Sequence, residues 1–550
     1  MLLRKIPFMH TQHSIRRPAA ARRVLERRQK TLALGILLAL GIAGLLALLL
    51  MGCGGGSNTP VSPPPVATVQ ALQIADVQKI VQAAVNAVSV DMVVAVVDRA
   101  GFVLGVFRTQ NAPATALGNF GQMLDADDVA VALARTGAFF SNDQAPLSSR
   151  TVRFISGIHF PPGVTNQPPA DLYGIENTNR GCTLVSSAAF QNQIPSSLAL
   201  GGGFGPGVLT GKADAMDSNP LAVNPGGVPI FYQNEVVGGI GVVTSASDPN
   251  VAEYAAFAGS TTQRTGPSDS FGPTPAAPGV VFIGGVALPF VTQTSLPSGV
   301  SPGPLAGAGS FFVAPANSSG QPPEGDLIAP AAGPFGGLSA TDVQTVLDNA
   351  EATANMTRAA IRLPIGSRSR MVIAVADLDG TIIGLRRMQD STVFSIDVAA
   401  SKARNMVYFN GSARAAADLN QVPTGTAVTN RTISFGAQPF FPPGIDGSAA
   451  GPFFNLYLQD LANPCTQGMQ AGPANANKSG IVFFPGSAGL YRNGTLVGGL
   501  GVSGDGVDED DYVTSGGTKG FEAPANIRAD QISINNVRLP YFKFPRNPTD

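Results

Sequence analysis

The sequence predicts an α+β fold written twice: two tandem domains, each an antiparallel sheet flanked by helices. Three observations predict it. Six segments recur in the same order, among them VVAVVDRAGFVLGVFR near residue 98 and VIAVADLDGTIIGLRR near residue 377, and EVVGGIGVV and TLVGGLGVS later on. Each copy reads as helix, hairpin, helix, long loop, hairpin, helix. Only 13% of residues are charged, with 65 Gly and 44 Pro, which suits turns and small-residue packing and excludes a coiled coil.

The elements follow in order. In copy one (70–262), IADVQKIVQAAVNAV places Ile80, Val81, Ala84, Val85 and Val88 on one helical stripe, with Asp76 at its start. MVVAVVD and FVLGVFR flank Arg99-Ala100-Gly101 as a hairpin. DADDVAVALARTGAFF is a helix with acids in its first turn. A loop stretch, 141–226, leads to a second hairpin around Asn234-Glu235 and a last helix opened by Asp248-Pro249. Copy two (336–525) repeats this order, with turns at Asp379-Gly380 and Asn493-Gly494. The glycine pairs Gly238-Gly239 and Gly498-Gly499 sit inside strands and mark close backbone approach or a bulge. Residues 263–335 read as a Pro/Gly-rich linker with one strand-like piece, VVFIGGVAL, and 526–550 as a C-terminal tail.

Residues 1–53 read as an export signal: Arg-rich, then an apolar run ending Leu50-Met51-Gly52-Cys53. The ending resembles a bacterial lipobox, which implies lipidation of Cys53 and a place in the bacterial cell envelope. The expected product is an outer-membrane lipoprotein or another periplasm-facing, membrane-tethered chain. A plain membrane-spanning anchor is the alternative, since about 20 apolar residues suffice to span. Residues 54–69 read as a Gly/Pro-rich tether. The near-zero net charge conceals an acidic remainder, because nine Lys and Arg lie before Cys53. That remainder excludes nucleic-acid binding.

Copy two carries DLDG, SKAR and VGGLGVSG; copy one carries DRAG, LARTG, GGVPI and VGGIGVVTS. This ordered set resembles the GlcG/HbpS-like haem-binding family. The resemblance implies a profilin-like sandwich around each antiparallel sheet, non-covalent binding of haem or a related tetrapyrrole, and a possible homo-oligomer. Copy one departs from copy two with Leu133 in place of Lys402, and with Val243-Thr244-Ser245 in place of Val502-Ser503-Gly504.

Candidate chemistry is sparse. His159 in GIHFPPG is the one histidine after the signal, and Phe440 stands at the matching place in copy two. Its position suggests either an axial haem ligand or an exposed-loop residue. Tyr173 and Tyr457 match one another and are either iron-ligating phenols or packing residues. Arg135 and Arg404, with nearby Phe139, Phe140, Phe160, Phe409, Phe440 and Phe441, can hold propionates and wall a flat ring, or can be core. Cys182 and Cys465 match, and in an exported chain a bridge between them is the expectation, two separate thiols the alternative. GDGVDEDD lacks EF-hand spacing and reads as acids in a first helical turn. No CxxCH, metal cluster, Ser-His-Asp triad or phosphate-binding fingerprint stands out, so no catalytic or metal residue is assigned. The favoured function is haem or tetrapyrrole binding for storage, sensing or protection. A binding or structural module is the first alternative, and an enzyme acting on a small organic molecule the second.

Overall fold

Copy one opens with α1 (Ile74–Ala87), where Asp76 Oδ2 accepts the Gln73 N–H at 3.0 Å and Val77, Ile80, Val81, Ala84 and Val85 turn inward at helical spacing. Strands β1 (Met92–Asp98) and β2 (Val103–Thr109) form the first hairpin. Helix α2 (Ala126–Phe140) is capped by Asp125 and is buried almost all round. The short α3 (Ser149–Phe154) follows, then β3 (Gly227–Tyr232), β4 (Glu235–Thr244) and α4 (Pro249–Ser260), whose N-cap is Asp248. The former linker supplies β5 (Gly307–Phe311) and β6 (Gly325–Ile328). Copy two runs α5 (Ala340–Met356), β7 (Val372–Ala376), β8 (Ile382–Arg387), α6 (Ser395–Asn410), α7 (Asn430–Gly436), α8 (Phe454–Ala462), β9 (Ser487–Arg492), β10 (Thr495–Ser503) and α9 (Val507–Gly517). This computed structural model describes residues 71–118, 122–178, 182, 224–272, 281–313, 320–463, 466 and 479–549, all within the unit Val69–Asp550.

The predicted α+β class, antiparallel sheets flanked by helices, is the one observed. The two five-stranded sheets have equivalent orders, β5-β2-β1-β4-β3 and β6-β8-β7-β10-β9. Their bulges match as well: the register shifts at Val96/Val97 and at Val375/Ala376, and again at Ile230/Phe231 and at Leu490/Tyr491. The segment read as a linker closes an edge of each sheet. Ala308 pairs with Arg108, and Gly325 pairs with Arg387, the matching residue of copy two. An unpaired edge is a row of open backbone donors and acceptors, and this segment covers one on each sheet.

The linker and tail also hold a seventh matched segment. Phe282–Ile283 pairs with Val286–Ala287 across Gly284-Gly285, and Ser533–Ile534 pairs with Val537–Arg538 across Asn535-Asn536. All four turn residues have positive φ, as a two-residue hairpin turn of the favoured hand requires. Each hairpin runs into Leu-Pro-aromatic, at Leu288-Pro289-Phe290 and Leu539-Pro540-Tyr541. The short helix of the same copy grips that run. Thr151 Oγ1 donates to Pro289 O at 2.6 Å and Thr432 Oγ1 to Pro540 O at 2.7 Å, while Ser148 and Thr429 donate to Phe290 and Tyr541. The tail is therefore a built part of copy two, with Ala529, Ile534, Leu539 and Tyr541 buried.

Each sheet has helices on both faces. α1 and α4 cover the outer face of the first sheet, and α5 and α9 that of the second. The inner faces share one continuous apolar cluster that includes Val93, Ala95, Val372 and Ala374 together with α2 and α6. Phe140 and Phe394 stack across the copies at 3.9 Å between ring centroids. The copies are thus halves of one core. Glycine lets the central helices come down onto the strands: a Cβ at Gly241 would overlap the Ala130 carbonyl, and one at Gly501 the Ala399 carbonyl.

Candidate functional site

The matched segments 157–178 and 436–460, the second reaching into α8, meet along a seam between the copies. Both contain a cis peptide, Phe160-Pro161 and Phe441-Pro442. His159 lies in this seam and not in an exposed loop: it is 6% exposed, and its Nε2 is 2.7 Å from Asp446 Oδ1. Asp446 Oδ2 accepts the Asn166 N–H, and Asn166 Oδ1 accepts the Asp446 N–H, each at 3.0 Å. The Asn166 N–H and then His159 hold the Asp446 carboxyl below the usual range. An aspartate of the second copy therefore engages the one histidine that the sequence offers as a ligand, so iron ligation through Nε2 would require that contact to break.

Tyr173 and Tyr457 stack on one another with centroids 5.5 Å apart, packed among Ile158, Phe453 and Phe483. Burial raises the pKa of both phenols, and the nearby Glu176 carboxylate pushes in the same direction. Iron takes a tyrosine as phenolate, which this environment disfavours. The same seam buries a link between the copies in which Asn177 Nδ2 donates to Asp460 Oδ2 at 3.0 Å.

Arg135 and Arg404 occupy matched places deep in the protein, 0% and 2% exposed. Arg135 Nε donates to Gly101 O at 2.8 Å, and Arg404 Nε to Gly380 O at 3.0 Å. Each helix thereby pins the turn of its own first hairpin, where the glycine has φ +93° or +86°. Burial lowers both guanidinium values to about 10. Phe139, Phe140 and Phe409 are likewise core. Among the described residues these side chains are part of the interior. Cys182 is buried and disulfide-bonded; Cys465 and Cys53 lie outside the described residues.

The departure at Leu133 has a structural partner. Lys402 Nζ, fully buried, is 2.9 Å from Asp510 Oδ2 and donates to Val502 O at 2.7 Å. In copy one the corresponding residues are Leu133 and Ala252, so both members of the pair are replaced by apolar side chains. Asp508, Glu509 and Asp510 do occupy the first turn of α9. Among the described residues, no group of three or more His, Cys, Asp or Glu is placed to hold a metal ion.

Among the described residues, two clefts stand apart from the predicted ones. One, of about 310 Å³, is lined by Tyr541, Phe542, Phe544, Arg528, Asp530 and Glu522. Arg528 is 2.8 Å from Asp530, so with Glu522 this lining is net acidic. The other, of about 180 Å³, lies where the copies meet: Phe282 comes from copy one, and Arg358, Arg362, Leu363, Ile365 and Glu509 from copy two. No local motif marks these residues, because they converge only through the hairpin of copy one.

The fold defines a two-copy α+β scaffold. Residues 346–519 match the family described as haem degrading protein HbpS-like, the family to which the repeated motifs point. Among solved structures, the chain is similar to Klebsiella pneumoniae protein ORFY, of family DUF336, at 19% identity over 34% of this chain and 92% of that one, with a TM-score of 0.22. It is also similar to the PduOC:heme complex, at 22% identity over 34% and 96%, with a TM-score of 0.22. No curated protein matches the chain.

Proposed function

We propose that the mature chain binds haem or a related tetrapyrrole non-covalently, for storage, sensing or protection, as an exported protein tethered to the membrane by a lipid on Cys53. The observation that carries the haem reading is the family match over residues 346–519. Haemin titrated into the mature protein is expected to give a Soret band that saturates at a fixed stoichiometry. A spectrum identical to that of free haemin at every ratio would end the haem reading.

The anchor reading rests on Leu50-Met51-Gly52-Cys53 behind an uncharged apolar run. Cys53→Ser is expected to leave the protein unacylated and absent from the membrane fraction. Membrane recovery and acyl mass unchanged by the substitution would refute it.

A further inference from the structure

We propose that the cleft where the copies meet, lined by Phe282, Arg358, Leu363 and Ile365, takes an apolar ring that bears a carboxylate, here the propionate-bearing edge of the tetrapyrrole. The inference rests on the haem reading and gives it a place. Ile365 is 77% exposed and Phe282 is 41% exposed, so two large apolar side chains from different copies stand open to water beside one another. The two arginines of the cleft differ in what they already hold. Arg362 is committed to Asp505 and, at 2.7 Å, to Asp390. Arg358 donates to Arg546 O at 2.9 Å and has no ion-pair partner among the described residues, which leaves its charge for a ligand carboxylate.

Glu509 does not cancel that charge. Burial, with Asp508 and other acids adding to it, pushes its carboxyl up to about 8, so at neutral pH it is a neutral O–H donor. The larger cleft carries the opposite balance and would repel propionates. At about 180 Å³ the joint cleft is below the 300–1,000 Å³ common for whole small ligands, which fits one edge of a macrocycle with the rest lying outside.

The test is haemin titration of the mature chain against Arg358→Glu and Ile365→Asp, with circular dichroism confirming that both fold; neither side chain is in the core. Each variant is expected to weaken haemin binding about tenfold or more, Arg358→Glu by losing one charge-assisted contact and Ile365→Asp by placing a carboxylate where the apolar ring would lie. Haemin dimethyl ester, which lacks free carboxylates, is expected to bind wild type and Arg358→Glu alike. If wild type gives a saturable Soret band and both variants match it within about twofold, the site is overturned while the haem reading stands. A loss confined to Arg528→Ala would likewise overturn it, by moving the ligand to the acidic cleft. If wild type shows no band, both fall together.

Discussion

Lys402→Met is expected to destabilise the protein by about 3–5 kcal/mol, read as a lowered urea midpoint, because it leaves Asp510 buried without its cation. The double variant Lys402→Leu/Asp510→Ala, which writes Leu133 and Ala252 of copy one into copy two, is expected to recover most of that loss. The reason lies in how the pair is shifted. Burial pushes Asp510 up to about 7 despite the pull of Lys402, and burial also lowers the Lys402 ammonium. Both shifts favour the uncharged forms, so desolvation outweighs attraction, and an apolar pair of suitable volume can replace the ion pair. A double variant as unstable as the single one would refute this.

The same shifts set a pH dependence. A carboxyl whose folded pKa exceeds its unfolded value, about 4, contributes stability that is full below that value and is lost as pH rises through the folded one. Asp510 and Asp98 stand at about 7 and Glu509 at about 8, each raised chiefly by burial. The thermal midpoint is therefore expected to fall from about pH 5 to about pH 8, and to fall less in the double variant.

Asp390→Ala is expected to cost about 2–3 kcal/mol at neutral pH, by removing the carboxylate that joins the copies. Asp390 is 2.5 Å from Arg99 of copy one and 2.7 Å from Arg362 of copy two, and it accepts the Asp143 N–H at 3.1 Å. Both guanidiniums are buried, and the substitution leaves Arg99 with Asp143 and Arg362 with Asp505 as their remaining carboxylates. Burial pushes Asp390 up, but Arg99 and then Arg362 more than offset it and hold the group below the usual range. Its contribution is thus present above about pH 4 and is lost as pH falls through the lowered folded value. An unchanged urea midpoint for Asp390→Ala at neutral pH would show that the network does not hold the copies together.

The sequence by itself determined the duplication, the order of the main helices and hairpins, and the strand glycines on which α2 and α6 rest. These are written in local signals: the stripe through Ile80 and Ala84, the turn at Asn493-Gly494, and Gly239 and Gly499 at matched places. Gly-Gly and Asn-Asn followed by Leu-Pro-aromatic also marked the seventh repeat, but those signals lay inside segments read as linker and tail. What only the tertiary structure decided depends on residues far apart in the chain. His159 is buried because the Asp446 loop of the other copy lies against it. Arg135 and Arg404 became turn clamps because each faces the glycine carbonyl of a hairpin instead of solvent. Residues 307–311 and 325–328 became strands because sheet edges stood open to pair with them. Phe282 and Arg358 share a cleft only because the two copies pack as one core. Local periodicity and turn chemistry are set by near neighbours; burial and edge pairing are set by what the rest of the chain brings against a residue.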